Sequence, residues 1–254
     1  MISLLLVSGC TTTTTSSGRT KSAEPSTSDR RAQLLADHIQ LGMGYLGENN
    51  RESARHHLLK ALEVDSRSAG AHGGMALLFQ LEQEYELADS HFRKAISYDS
   101  GFTSVRNNYG AFLYRQGRYE EAYQQLEKAA SDTAYARRAQ VYSSLGATAA
   151  KLNRADQARD AWLKAISLNP RLARPYVELA SRYFADADYA RAKAYLDQYH
   201  QLHKPSARSL WLGVKLEREF GNKDGEASQG LALRKLFPYS EEALEYKRWL
   251  AGER

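Results

Sequence analysis

Seven histidines, one cysteine and thirty acidic residues are the side chains from which this chain of 254 residues would have to build a metal site, a nucleophile or an acid–base pair. His200 and His203 have the spacing that puts two imidazoles on one helix face, but no third ligand lies nearby and no HExxH string occurs. They read as two surface histidines near a helix end. His56 and His57 are adjacent and so point to different helix faces, while His38 and His72 fall where a packing aromatic is expected. Asp186 and Asp188 resemble paired carboxylates only in isolation, because they lie in the turn before Tyr189. No Ser-centred nucleophile elbow, phosphate-cradling glycine loop or dinucleotide fingerprint is present. A single cysteine excludes an internal disulfide, a four-cysteine zinc site and a CxxC redox pair. The expectation is a protein with no catalytic residues, no metal, no cofactor and no small-molecule substrate. A net charge of +5, spread without a basic cluster, also argues against nucleic acid as a partner.

Cys10 is the exception. Ile2 to Val7 form an apolar stretch, Ser8 and Gly9 are small, and the cysteine follows. A bilayer span needs roughly 20 apolar residues, so this stretch reads as the tail of a secretory signal. Val7-Ser8-Gly9-Cys10 resembles the bacterial lipobox, which implies that Cys10 is lipidated and becomes the first mature residue. No Lys or Arg precedes it. Thr11 to Ser17, continuing through Pro25 to Ser28, is too polar to bury a core and behaves as a tether. The domain reading is therefore a residual signal at 1–9, the lipidated cysteine and flexible tether at 10–30, and a folded domain at 31–251. Thr11 stands where an inner-membrane retention aspartate would be, so the resemblance implies a lipid-anchored protein on the periplasmic face of the outer membrane.

The rest of the chain repeats. Small residues at Gly42, Ala76, Gly110, Gly146 and Ala180 are spaced 34, 34, 36 and 34 apart. Ala54, Ala88, Ala122, Ala158 and Ala192 keep that spacing, as does a large apolar series at Leu58, Phe92, Leu126, Trp162 and Leu196. These phased series match the tetratricopeptide (TPR) pattern of two antiparallel helices per unit. Helix axes approach to roughly 8–10 Å only where contact residues are small. The large residue then fills the gap to the next unit. Pro170 and Pro205 end second helices. The fold expected is all-α: a TPR superhelical solenoid with units at 35–68, 69–102, 103–136, 139–172 and 173–206. A degenerate sixth unit covers 207–240, and a capping helix begins after Ser240.

Such units stack because none can bury its apolar face alone, and the stack has one concave surface. Concave positions of the first unit include Ile39, Met43 and Leu46, all apolar, and the second adds Leu77. The third offers Asn107 and Tyr114. A surplus apolar stripe beside the packing face marks a partner groove, and these six residues are the candidate binding site. The Lys/Asn/Arg clamp of chaperone-binding TPR proteins is absent, since Ile39 stands where its first lysine would be.

The lipobox, tether, repeats and particular strings together resemble the PilF/PilW family of type IV pilus biogenesis lipoproteins. The strings are Ile39-Gln40-Leu41-Gly42-Met43-Gly44-Tyr45-Leu46, Asn107-Asn108-Tyr109-Gly110 and Ala207-Arg208-Ser209-Leu210 with Leu212-Gly213. The resemblance covers nearly all of 10–240. It implies a pilotin that binds secretin subunits, carries them to the outer membrane and promotes their multimerisation for pilus assembly. A general envelope TPR lipoprotein, scaffolding cell-wall or outer-membrane-protein machinery, would share every physical feature above.

Overall fold

The computed structural model describes residues 26–252, so Cys10 and most of the expected tether lie outside the described residues. Within them run thirteen helices. They are α1 (Thr27–Gly47), α2 (Arg51–Val64), α3 (Ala69–Leu81), α4 (Tyr85–Tyr98), α5 (Thr103–Arg115), α6 (Tyr119–Ser131), α7 (Arg138–Lys151), α8 (Ala155–Leu168), α9 (Ala173–Ala185), α10 (Tyr189–Leu202), α11 (Ala207–Glu219), α12 (Lys223–Leu236) and α13 (Glu241–Leu250). The chain is a TPR solenoid. Odd-numbered helices approach their odd-numbered neighbours closely all along the array, from α1·α3 to α11·α13, whereas even-numbered helices stand further apart and are bridged by long side chains such as Arg93 of α4 and Glu121 of α6 at 3.2 Å. Odd helices therefore line the inner, concave wall and even helices the outer one.

One boundary differs from the sequence expectation. Residues 27–30, expected in the tether, form the first turn of α1. Ser26 caps that turn in a reciprocal box: its hydroxyl accepts from the Asp29 amide and the Asp29 carboxylate accepts from the Ser26 amide, each at 3.1 Å.

The repeat is written in the backbone as well as the side chains. Each turn inside a pair has one residue in the left-handed region: Asn49 (φ 57°), Gln83 (65°), Gly117 (73°), Asn153 (58°), Ala187 (58°) and Gly221 (69°). In each, the following amide reaches back five residues to a helical carbonyl, for example Arg118 N to Leu113 O at 2.9 Å. That closes the helix as a Schellman motif. Between pairs, Asp65, Asp99, Asp132 and Asn169 each accept from the amide two residues on, at 2.9–3.0 Å, as Asx turns. The two extra residues between the third and fourth units lie in the 132–137 connection.

Packing shows why a small residue precedes each large one by sixteen positions. A Cβ on Gly42 would lie 2.7 Å from Leu58 Cγ, on Gly110 2.6 Å from Leu126 Cγ, and on Gly146 2.5 Å from Trp162 Nε1. Leu58 also presses on Gly74 of α3, so each large side chain bridges its own pair and the next. The core is a chain of such clusters rather than one centre. In the sixth unit Gly213 faces the polar Gln229, which accounts for its weak sequence signal. Ser240 caps α13, accepting from the Ala243 amide at 3.1 Å. This helix takes the place of a further first helix and covers α11 with Tyr246 and Trp249.

Candidate functional site

The six groove residues take three different roles. Leu46 packs into the Leu58, Met75 and Leu78 cluster, and Leu77 packs against the cluster containing Phe92 and Tyr109. Ile39 reaches across to α3, its Cδ1 lying 3.1 Å from where a Gly70 Cβ would sit. Three of the four apolar members are thus partly used in joining units, because adjacent first helices must touch to form the concave wall. Met43 is the one that stands clear, 40% exposed, whereas the similarly exposed Leu34 and Leu41 lie on the opposite face of the same helix. Asn107 is half-buried, and Tyr114 meets Tyr119 edge-on at 5.3 Å.

Tyr114 belongs to a different feature. With Ala147, Lys151, Arg174 and Glu178 it lines a recess on the inner wall that ends at Arg208. Arg208 grips Glu178 through two bonds of 3.0 and 2.9 Å, joining α11 to α9. Burial pushes the Glu178 carboxyl up, but Arg208 and Arg174 more than offset this and hold it below the usual carboxylate range. From Arg208 a cleft of about 270 Å³ continues past Phe184 and Trp211. It opens into another of about 560 Å³ walled by Phe184, Trp211, Lys215, Arg218 and Trp249. Together these make a trough between α9, α11 and α13. Lys215 lies over the rings of Phe184 (5.4 Å) and Trp211 (5.2 Å), and the Arg218 guanidinium lies 4.2 Å from the Trp249 ring centre. Burial pulls the Lys215 ammonium below its ordinary value, outweighing the opposing pull of Glu245.

Sequence reasoning missed most of this trough because it treated the sixth unit as decayed. The signal was there: concave-stripe positions continue through Trp211, Lys215 and Arg218, and α13 starts 34 residues after α11.

The histidines form a second pattern. His38 and His57 approach through their Nδ1 atoms at 3.1 Å, and His72 and His91 repeat the contact one unit on, also at 3.1 Å. Unit three replaces the pair with Arg106 and Gln125, joined at 2.8 Å. Burial first, then the charges of His72 and Lys94, pulls His91 down to about 4. His200 and His203, expected at the surface, instead flank the buried Tyr199 with ring centres at 5.5 and 5.4 Å. Asp186 pairs with Arg182, and Asp188 caps α10 by accepting from the Arg191 amide. Among the described residues no three His, Cys, Asp or Glu side chains are grouped to hold a metal, and no helix is long and apolar enough to cross a membrane.

Comparison with known proteins places this geometry. A tetratricopeptide repeat family model matches residues 139–172, the fourth unit. The type IV pilus assembly protein PilF of Pseudomonas aeruginosa is 42% identical over 214 residues, which cover 84% of each chain. This chain belongs to the PilF family of type IV pilus assembly proteins. A solved structure from a functional characterisation of P. aeruginosa PilF aligns with a TM-score of 0.80 at 41% identity, covering 86% of this chain and 98% of that one. The crystal structure of PilW, described as a widely conserved type IV pilus biogenesis factor, aligns at 0.74 with 25% identity, covering 84% and 98%. Family and fold are those of repeat-built pilus assembly proteins.

Proposed function

We propose that this protein is a pilotin: an outer-membrane lipoprotein, anchored through Cys10 on the periplasmic side, that binds secretin subunits and promotes their multimerisation. The observation that carries the binding surface is Met43, an apolar side chain left exposed on α1 while Ile39 and Leu46 of the same stripe pack against the second unit. Family membership supports the pilus role, and the Val7-Ser8-Gly9-Cys10 string supports the anchor. The mechanism is transport by tethering. Acyl chains supply the address, the polar segment before Ser26 supplies reach, and the concave wall holds a secretin segment while others collect. Confinement at the membrane raises the local concentration of bound subunits, which favours ring assembly without any bond-making step.

Two substitutions test this. Met43→Asp is expected to abolish secretin multimers in membrane extracts while leaving thermal stability within about 0.5 kcal/mol, as for exposed sites. Cys10→Ala is expected to release the protein from the outer-membrane fraction. Normal multimers in the first variant, made in a chain that still fractionates with the outer membrane, would move the binding surface elsewhere. Unchanged fractionation in the second would remove the anchor.

A further inference from the structure

The proposed secretin surface lies on the first repeats, which leaves the trough between α9, α11 and α13 without an occupant. We propose that this trough is a second docking site for an extended peptide segment carrying a carboxylate side chain beside an aromatic or large aliphatic one. The inference rests on the reading that the concave wall binds proteins, and it adds the chemistry of a second partner segment.

Three observations carry it. First, the walls are aromatic and come from three helices: Phe184 on α9, Trp211 on α11 and Trp249 on α13, with the two indoles edge-on at 5.3 Å. Rings held by neighbours present apolar area at little entropic cost to a partner. Second, the cations in the trough are available. Among the described residues, Lys215, Arg218 and Arg248 have no carboxylate within ion-pair distance, whereas Arg208 at the far end is clamped on Glu178. Ring faces hold Lys215 and Arg218 in place without neutralising them. Glu219 and Glu245 also line the wider cleft, where two carboxylates face three cations, while Glu241 and Glu242 line the narrower one, so the surplus positive charge is confined to the end walled by Trp249, where the partner's carboxylate would sit. An incoming carboxylate would meet an ammonium already stripped of part of its water, where a charge-assisted hydrogen bond is strong. Third, the two clefts share Phe184, Trp211, Lys215 and Glu245 and form one open channel. That shape suits a chain passing through rather than one that terminates. Its place on the inner wall also keeps it from lying flat on a bilayer, which favours a peptide over lipid headgroups.

The test selects peptides from a random dodecapeptide phage library on the purified full-length chain, then titrates synthesised winners by tryptophan fluorescence. Peptides pairing Asp or Glu with Phe, Trp or Leu are expected, one bound per chain. Lys215→Met should weaken them about tenfold or more, while Lys215→Arg retains most of the binding. Arg218→Gln serves as an independent variant, and circular dichroism melts confirm that each folds. Met43→Asp should leave peptide binding unchanged and Lys215→Met should leave secretin multimers intact, so failure here is separable from failure of the pilotin reading. Winners without a carboxylate would overturn the proposal. So would binding that survives both Lys215→Met and Arg218→Gln, or loss of secretin multimers in a folded Lys215→Met chain. Capture of phosphatidylglycerol vesicles through these same residues, with no peptide enriched, would assign the trough to lipid instead.

Discussion

The fit of Gly110 against Leu126 yields a prediction in which a single substitution changes sign with its background. A methyl group on Gly110 would sit 2.6 Å from Leu126 Cγ and 2.9 Å from Cδ2, and Leu126 is fully buried. Gly110→Ala gains about 1 kcal/mol of helix propensity. It loses about 1–3 kcal/mol to overpacking, for a net cost of about 1 kcal/mol. Leu126→Ala alone should cost about 3–5 kcal/mol, toward the upper end of its class, because the facing glycine has no side chain to fill the void. In that background the alanine at 110 is free of both Leu126 clashes and has an ordinary 3.4 Å contact with the Ala122 carbonyl oxygen. It then contributes its propensity plus about 0.8 kcal/mol for one buried methyl group, and so stabilises. The coupling is about 2–3 kcal/mol. Urea titrations of the four chains followed by circular dichroism would measure it. Hydrogen exchange on α5 and α6 should accompany them, since a linear array can unzip by units rather than as a whole. A Gly110→Ala effect of the same sign in both backgrounds would refute the packing argument.

Three further outcomes follow from local geometry. Ala187 holds φ 58°, a conformation that costs a side chain about 1–2 kcal/mol, so Ala187→Gly should stabilise by about 1 kcal/mol in a thermal melt. The His72–His91 pair should make the second unit sensitive to acid. His91 is held at about 4 against an ordinary 6.5, so the folded chain resists a proton that the unfolded chain accepts. Its stability is full above pH 6.5 and falls as pH drops from 6.5 toward about 4. Grafting the Arg106–Gln125 solution of unit three, as His72→Arg with His91→Gln, should flatten that dependence in melts at pH 7.5 and 5. Both His72 and Arg106 donate to a carbonyl six residues back, Ser66 and Ser100, so the graft keeps the local bonds. Finally, Arg208→Ala should cost about 2 kcal/mol by leaving the largely buried Glu178 with only Arg174, whose bond is long at 3.5 Å. A melt unchanged from the parent would show that solvent already compensates that charge.

The sequence by itself determined the period, and through it the fold. Gly42 with Leu58 and Gly110 with Leu126 are spaced by sixteen because a first helix must meet the large side chain of its partner, and such residue types are restricted enough to read directly. Capping at Ser240 and the breaks at Pro170 and Pro205 were equally legible, being local chemistry. The left-handed turns were not, although they recur with the same period, because Asn, Gln, Gly and Ala all occupy them and the constraint lies on φ rather than on residue type.

Tertiary structure alone decided which apolar residues remain for a partner. Ile39, Leu46 and Leu77 carry the concave-stripe signature, yet neighbouring helices claim much of their surface, and only the approach of α1 to α3 reveals that. The aromatic trough depends on α13 closing against α11, which brings Trp249 to Trp211 across 38 residues of sequence. No spacing rule for one unit contains that contact, because it arises where the repeat ends and the last inner helix has no successor to cover it.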